Sequence, residues 1–125
     1  MPVILRTETR RSETAGGVMT TLASPTQGDA TRAIWRVEAH PGVPGPSHVF
    51  DVEQIWTFLT GGAAVVLDGE NLDVVAGDTL VIPAETVRQV TPDADHGFTA
   101  IVTAAAGALA GAPGADSGVV PPWIV

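Results

Sequence analysis

Closely spaced glycines and prolines divide this chain into short runs rich in Val, Ile, Thr and Trp. There are 14 glycines and 10 prolines among 125 residues. Both residues interrupt regular structure, whereas β-branched and aromatic side chains favour strands, so this alternation is typical of an all-β protein. The nearest candidate for a helix is the Ala-rich stretch 103–112, but Gly107 and Gly111 interrupt it and favour a loop or weak turn.

The apolar runs predict seven or eight short strands, which indicates a barrel or a sandwich. Asp68-Gly69 lies between two runs and predicts a type I′ hairpin turn, because both residues tolerate a positive φ. Gly61-Gly62 is also predicted to turn the chain. The strands are expected at 18–22, 32–38, 48–50 continuing into 54–59, 63–67, 72–75, 79–82, 87–90 and 98–103, with 6–9 as a possible lead-in.

Charge and residue usage exclude several classes of partner and site. Lys and Arg number 6 against 14 Asp and Glu, and the formal net charge of −8 would repel nucleic acid and anionic membrane surfaces. The chain has no cysteine, which excludes disulfides, thiolate metal sites and cysteine nucleophiles. The first apolar run is too short for a secretory signal and no window reaches membrane-spanning length, so we predict a cytoplasmic protein.

Two sets of spaced residues stand in the centre of the chain, and each opens with a glycine. The first reads Gly42, five residues, His48, one residue, Phe50, three residues, Gln54, six residues and Gly61. The second reads Gly77, five residues, Pro83, one residue, Glu85, two residues and Arg88. In order and spacing these sets resemble the two motifs of the cupin family, and the resemblance covers roughly residues 30–103.

The cupin resemblance implies a double-stranded β-helix, which is a barrel of jelly-roll type. Cupins bind a metal through two histidines and a glutamate of the first motif and a histidine of the second. Position by position, these ligands become His48, Phe50, Gln54 and Arg88, so one of the four is retained. The chain resembles small stand-alone cupins of actinobacterial type in which most metal ligands are replaced.

The altered ligand set is a poor match for a catalytic metal, which generally needs about three protein ligands. Phe50 donates nothing, Gln54 is a weak neutral donor, and Arg88 is a permanent cation that would repel a metal. We therefore predict no metal and no other cofactor. A divalent metal at His48 is the alternative, while His40 and His96 are expected in exposed loops.

The same positions predict a ligand cavity inside the barrel. An apolar, aromatic lumen with a few polar groups suits a small organic ligand that carries an anionic or carbonyl group. The candidate catalytic residues are His48, as a general acid or base, and Arg88, as a partner of a carboxylate or phenolate. Strand alternation adds the candidate ligand-binding residues Phe50, Gln54, Trp56, Phe58 and Val90.

Each of these assignments has a structural alternative. Trp56 and Phe58 are also good core residues, and Phe50 could fill the space that a metal occupies in other cupins. Arg88 could pair with an internal carboxylate, for which Glu53 and Glu85 are the nearest candidates in sequence.

Three functions stay open at this point. The first is a metal-independent enzyme of isomerase, cyclase or lyase type that uses acid–base chemistry in the lumen. The second is a non-catalytic small-molecule binding or sensing protein, and the third is a metal-dependent oxygenase or isomerase with a reduced ligand set.

The chain is expected to form one domain, with a barrel core at about 18–103 and an extended tail at 104–125. The apolar end of the tail, 119–125, should pack on the barrel or on a second subunit. Since small cupins usually dimerise, we predict a homodimer.

Overall fold

The computed structural model describes residues 3–125, and these residues form strands, turns and loops without a helix. Every strand pair is antiparallel. None of the described residues belongs to a helix that is long and apolar enough to span a membrane. The strands are β1 (Arg10–Thr14), β2 (Gly17–Ala23), β3 (Arg32–Ala39), β4 (Val49–Phe50), β5 (Gln54–Leu67), β6 (Glu70–Val75), β7 (Thr79–Ile82), β8 (Arg88–Pro92), β9 (Phe98–Ala105) and β10 (Ala110–Gly111).

Strand β5 connects two groups of strands, which is the arrangement of a jelly roll. Its first part, residues 54–61, pairs with β7 and β9, and β9 continues the sheet to β3, β2 and β1. Its second part, residues 62–67, pairs with β6 and β8. A bridge between His48 and Arg88 joins β8 to the segment before β4, and β4 pairs with β10. The all-β prediction is confirmed.

Gly61 allows β5 to pass from one group of strands to the other without ending. Its φ is +70°, and a Cβ at this position would lie 2.0 Å from the main-chain oxygen of Gly97. Only glycine accommodates both the left-handed backbone and this close approach. The prediction that Gly61-Gly62 would separate two strands is therefore wrong, because one strand of 14 residues bends here.

The predicted hairpin at Asp68-Gly69 is confirmed, since φ is +48° and +79° at the two residues. Strand β7 occupies the predicted residues 79–82. The prediction of a possible lead-in strand at residues 6–9 is wrong. Thr9 Oγ1 donates to the main-chain oxygen of Arg6 at 3.0 Å and closes a turn there, and the register with β2 begins only at Arg10.

The inward faces of the strands form one hydrophobic core. Phe58 is fully buried and lies edge-on to Phe98, with 5.0 Å between the ring centroids. Alternate residues of β3 and β9 face the same core, as expected for strands with one buried side. These buried residues are Ala33, Trp35, Val37, Phe98, Ala100, Val102 and Ala104.

The C-terminal segment packs on its own barrel. Ile124 is fully buried, and Thr21 Oγ1 donates to the main-chain oxygen of Trp123 at 2.8 Å. Ser24 Oγ donates to the main-chain oxygen of Val125 at 2.6 Å. Both hydroxyl-bearing residues are themselves fully buried. The tail therefore gives no reason to expect a second subunit, and the homodimer stays a prediction.

Candidate functional site

A cavity of about 730 Å³ lies between the inward faces of the strands and the C-terminal segment. This volume is within the range of sites for small organic molecules. The wall is largely apolar and aromatic. Its main residues outside the predicted set are Met19, Trp35, Val37, Phe98, Pro121, Pro122 and Trp123.

The structure brings most of the predicted site residues into this wall. Those that line the cavity are His48, Phe50, Gln54, Trp56 and Val90. Arg88 and Phe58 are 1% and 0% exposed and do not line it. Phe58 belongs to the core, where its ring stacks on Trp56 with 6.1 Å between centroids. Arg88 lies behind the wall, so any effect it has on a ligand passes through the residues in front of it.

His48 is held in one orientation by the loop that precedes it. Its Nδ1 lies 2.8 Å from the main-chain oxygen of Pro46. A carbonyl oxygen only accepts, so Nδ1 carries the proton and Nε2 keeps a free lone pair. Burial lowers the pKa of His48 below 6.5, the hydrogen bond to Pro46 opposes this, and the charge of Arg88 lowers the pKa further. The imidazole is therefore neutral near pH 7 and able to accept a proton.

Gln54 is locked by two donors that approach the same oxygen. Arg88 Nη1 and Trp56 Nε1 each donate to Gln54 Oε1 at 3.0 Å. Because both partners are donors, the amide cannot be flipped, and its nitrogen must point away from them. Gln54 is 1% exposed, and its Nε2 has no hydrogen-bond partner among residues 3–125.

Arg88 is a buried cation without a carboxylate partner in the described part of the chain. Its Nε donates to the main-chain oxygen of Thr86 at 3.2 Å, and its Nη2 has no partner there. The ion pairs within residues 3–125 do not include it, and Glu53 and Glu85, the two carboxylates considered from the sequence, are both exposed. Burial lowers the pKa of Arg88 to about 10, so the guanidinium stays charged near pH 7.

Phe50 connects His48 to Arg88. Its ring lies edge-on to the His48 ring at 5.2 Å, and the guanidinium carbon of Arg88 lies 4.9 Å from the centroid of its ring. The ring face is electron-rich, so this contact favours the cation. Glu85, which belongs to the second set of spaced residues, adopts a φ of +61° and donates its N–H to the main-chain oxygen of Phe50 at 2.9 Å.

The residues at the four cupin ligand positions do not fit a metal ion. The oxygen of Gln54 already accepts two hydrogen bonds, and Phe50 and Arg88 supply no ligand atom. His48 Nε2 is the one donor left among them. Across residues 3–125 no three or more His, Cys, Asp or Glu side chains are placed together so that they could hold a metal ion. His96 pairs with Asp93 at 3.2 Å on the outside of the protein, and His40 is exposed.

Sequence reasoning missed several cavity residues. Trp35 and Val37 alternate on β3, and this pattern indicates an inward face but does not say whether that face meets a cavity or solid core. Pro121 and Trp123 belong to a tail whose position depends on hydrogen bonds to a distant strand, β2. No local pattern could have placed them beside the site.

Comparisons with known proteins show which fold this is. No protein-family model matches the sequence, and no curated protein matches it. Among solved structures, the polyketide cyclase RemF from Streptomyces resistomycificus is 20% identical with a TM-score of 0.71, over 84% of this chain and 79% of that chain. An RmlC-like cupin from Shewanella frigidimarina is 19% identical with a TM-score of 0.67, over 82% and 88% of the two chains.

A larger enzyme matches in the same way. A variant of salicylate 1,2-dioxygenase from Pseudoaminobacter salicylatoxidans, in complex with gentisate, is 17% identical with a TM-score of 0.66. The match covers 77% of this chain and 27% of that chain. The activities of these neighbours differ, so the likeness identifies the architecture and not the reaction. Together with the antiparallel strands and the bent β5, it shows that this chain has the cupin fold, a double-stranded β-helix of jelly-roll type.

Proposed function

We propose that the barrel binds a small, largely apolar organic molecule and removes a proton from it, with His48 as the general base. The observation that supports this most is the hydrogen bond from His48 Nδ1 to Pro46, which leaves Nε2 unprotonated on a residue of the cavity wall. Burial lowers the pKa of His48 below its ordinary 6.5, which favours the neutral imidazole, the form that can act as a general base near pH 7.

The proposed step is removal of a proton from a carbon next to a carbonyl group. The proton moves to His48 Nε2, and the electron pair of the C–H bond moves into an enolate whose negative charge lies on the oxygen. The N–H groups of Gln54 donate to that oxygen, as in other sites that stabilise an oxyanion. The proton on Nε2 then returns in one of three ways. A conjugated enolate takes it at another carbon, or the enolate carbon attacks a second carbonyl of the same molecule and the new alkoxide takes it, or the enolate expels a leaving group from the neighbouring carbon and that group takes it.

These outcomes correspond to an isomerase, a cyclase and a lyase, and none requires a redox cofactor. A metal has no part in the step, because the donors at the cupin ligand positions do not fit one. The fold neighbour whose name states a cyclase activity is in line with ring closure, although at 20% identity it supports the fold alone.

Proton exchange in heavy water tests the proposal without knowledge of the natural substrate. The probe is 2-tetralone, an aromatic ketone whose protons beside the carbonyl are replaced by deuterium when a base removes them. We expect the protein to accelerate this exchange, and His48→Gln to reduce the acceleration by about 100-fold or more, because general-base catalysis contributes about that much. The matched control is His40→Gln, which changes an exposed histidine outside the cavity and should leave the rate unchanged.

Two results would overturn the proposal. If 2-tetralone binds but its exchange is no faster with the protein, the barrel is a non-catalytic binding protein. If the exchange is lost after dialysis against a chelator and returns with a divalent metal, the reaction depends on a metal and His48 is not a sufficient base.

A further inference from the structure

We infer that the ligand of this cavity carries an anionic oxygen, which the amide nitrogen of Gln54 receives while Arg88 supplies the compensating positive charge from behind the wall. The inference rests on the proposed small-molecule function and names the class of ligand for that same site.

The first observation is the missing counter-ion of Arg88. The protein has 14 Asp and Glu residues and a net charge of −8, yet no ion pair within residues 3–125 involves this 1% exposed guanidinium. A buried charge normally has a partner of opposite sign, because an uncompensated charge in the interior is strongly unfavourable. Although the protein has many carboxylates, none pairs with Arg88 in the described residues, so an anionic ligand could serve as its counter-ion.

The second observation is the fixed direction of the Gln54 amide. Its oxygen is held by Arg88 and Trp56, so its two N–H groups point away from both and have no partner among the described residues. Buried donors are seldom left unpaired in folded proteins. Arg88 also polarises the amide through Oε1, which makes the Nε2 hydrogens stronger donors, and Gln54 is one of the residues that line the cavity.

The unpaired Arg88 and the unpaired Gln54 donors together favour a ligand with a negative charge. A neutral carbonyl oxygen would satisfy the Gln54 donors but would leave the charge of Arg88 uncompensated. A carboxylate, phenolate or enolate oxygen would do both, and an organic cation would do neither. The net charge of −8 opposes anions at long range, so a preference for an anion requires local positive charge, which Arg88 supplies beside Gln54.

Calorimetric titration with three probes of nearly identical shape tests the inference. The probes are 2-naphthoate, 2-naphthamide and 2-naphthamidine, which place an anion, a neutral amide and a cation on the same flat ring system. We expect 2-naphthoate to bind at least about tenfold more tightly than 2-naphthamide, since a charge-assisted hydrogen bond exceeds a neutral one by roughly that factor. The amidine should bind most weakly.

Two variants remove the preference by different routes. Arg88→Met removes the charge, and Gln54→Glu keeps the size of the side chain but gives Arg88 an internal carboxylate partner. Both should bring the affinities for 2-naphthoate and 2-naphthamide within about threefold of each other, because the local positive charge is then gone or neutralised. The matched control is Arg11→Met, which removes an equal charge from a residue whose side chain is 65% exposed and should keep the tenfold preference.

Each outcome has a distinct meaning. If the wild-type protein binds 2-naphthamide as tightly as 2-naphthoate, or prefers the amidine, the inference is overturned while the small-molecule site stands. If none of the three probes binds, the cavity is not a ligand site for this class of molecule, and both the inference and the proposed function fail. Loss of the preference in Arg11→Met would show that it arises from overall charge and would also overturn the inference.

Discussion

Replacing Gln54 by leucine should destabilise the protein far more than the loss of one side-chain amide suggests. The Gln54 oxygen is the acceptor for two buried donors, Arg88 Nη1 and Trp56 Nε1, and leucine has a similar size but accepts neither. A hydrogen bond from a neutral donor contributes about 1 kcal/mol net, and one from a charged donor about 1.5–3 kcal/mol. The free energy of unfolding should therefore fall by about 2.5–4 kcal/mol.

Urea denaturation followed by tryptophan fluorescence measures this change. For a domain of this size, the expected loss moves the midpoint by about 1 M urea or more. The matched control is Gln89→Leu, since Gln89 donates one hydrogen bond to the main-chain oxygen of Gly45 at 3.1 Å and is half-buried, so its loss should stay below about 1 kcal/mol. A loss below about 1 kcal/mol for Gln54→Leu as well would refute the reasoning, because it would mean that the two donors readily find other acceptors.

Three further predictions concern pH, the bend of β5 and the tail. Because burial lowers the pKa of His48 below 6.5 in the folded protein, the unfolded chain binds more protons near that pH. The free energy of unfolding should thus fall as the pH drops through about 6.5 and level off below the pKa of His48 in the folded protein. Urea titrations at several pH values measure this fall, and His48→Gln should abolish the part of it that His48 causes. Thermal unfolding of two alanine variants tests the bend of β5. Gly69→Ala, where φ is +79° and the added Cβ meets no atom, should lower the free energy of unfolding by about 1–2 kcal/mol, and Gly61→Ala should lower it clearly more because its Cβ would also meet a main-chain oxygen at 2.0 Å. Equal losses would contradict the assigned cause of the bend. Ile124→Ala, at a fully buried position of the tail, should lower the free energy of unfolding by about 2–4 kcal/mol. Val119→Ala, at 70% exposure, should lower it by less than about 0.5 kcal/mol, and similar losses for the two variants would mean that the tail does not pack on the barrel.

The strands could be predicted where local pattern decides them. Thr79–Ile82 is a short run of Thr, Leu, Val and Ile that is followed by a proline, and its predicted bounds agree with the structure. β1 has no apolar run, because it is an edge strand of polar residues with mostly exposed side chains, so only its pairing with β2 defines it. The bend at Gly61 could not be distinguished from a turn, because a positive φ ends a strand in one context and redirects it in another.

The site could be predicted as a set of positions but not as a set of roles. Motif spacing and strand alternation predict that His48, Gln54 and Arg88 point into the barrel, and the structure connects all three by contacts through Phe50. Which residue reaches the cavity depends on side-chain packing, and the sequence contains no measure of depth. This is why Arg88, expected to touch a ligand, lies behind the wall and is proposed to act through Gln54.

The central claim is that His48 offers an unprotonated nitrogen to a molecule in the cavity. Long-range proton–nitrogen NMR spectra of the imidazole, recorded near neutral pH before and after addition of 2-tetralone, test it most directly. We predict a protonated Nδ1, a lone-pair resonance for Nε2, and a shift of the Nε2 resonance when the probe is added. A proton on Nε2, or an Nε2 resonance that does not respond to saturating probe, would contradict the claim.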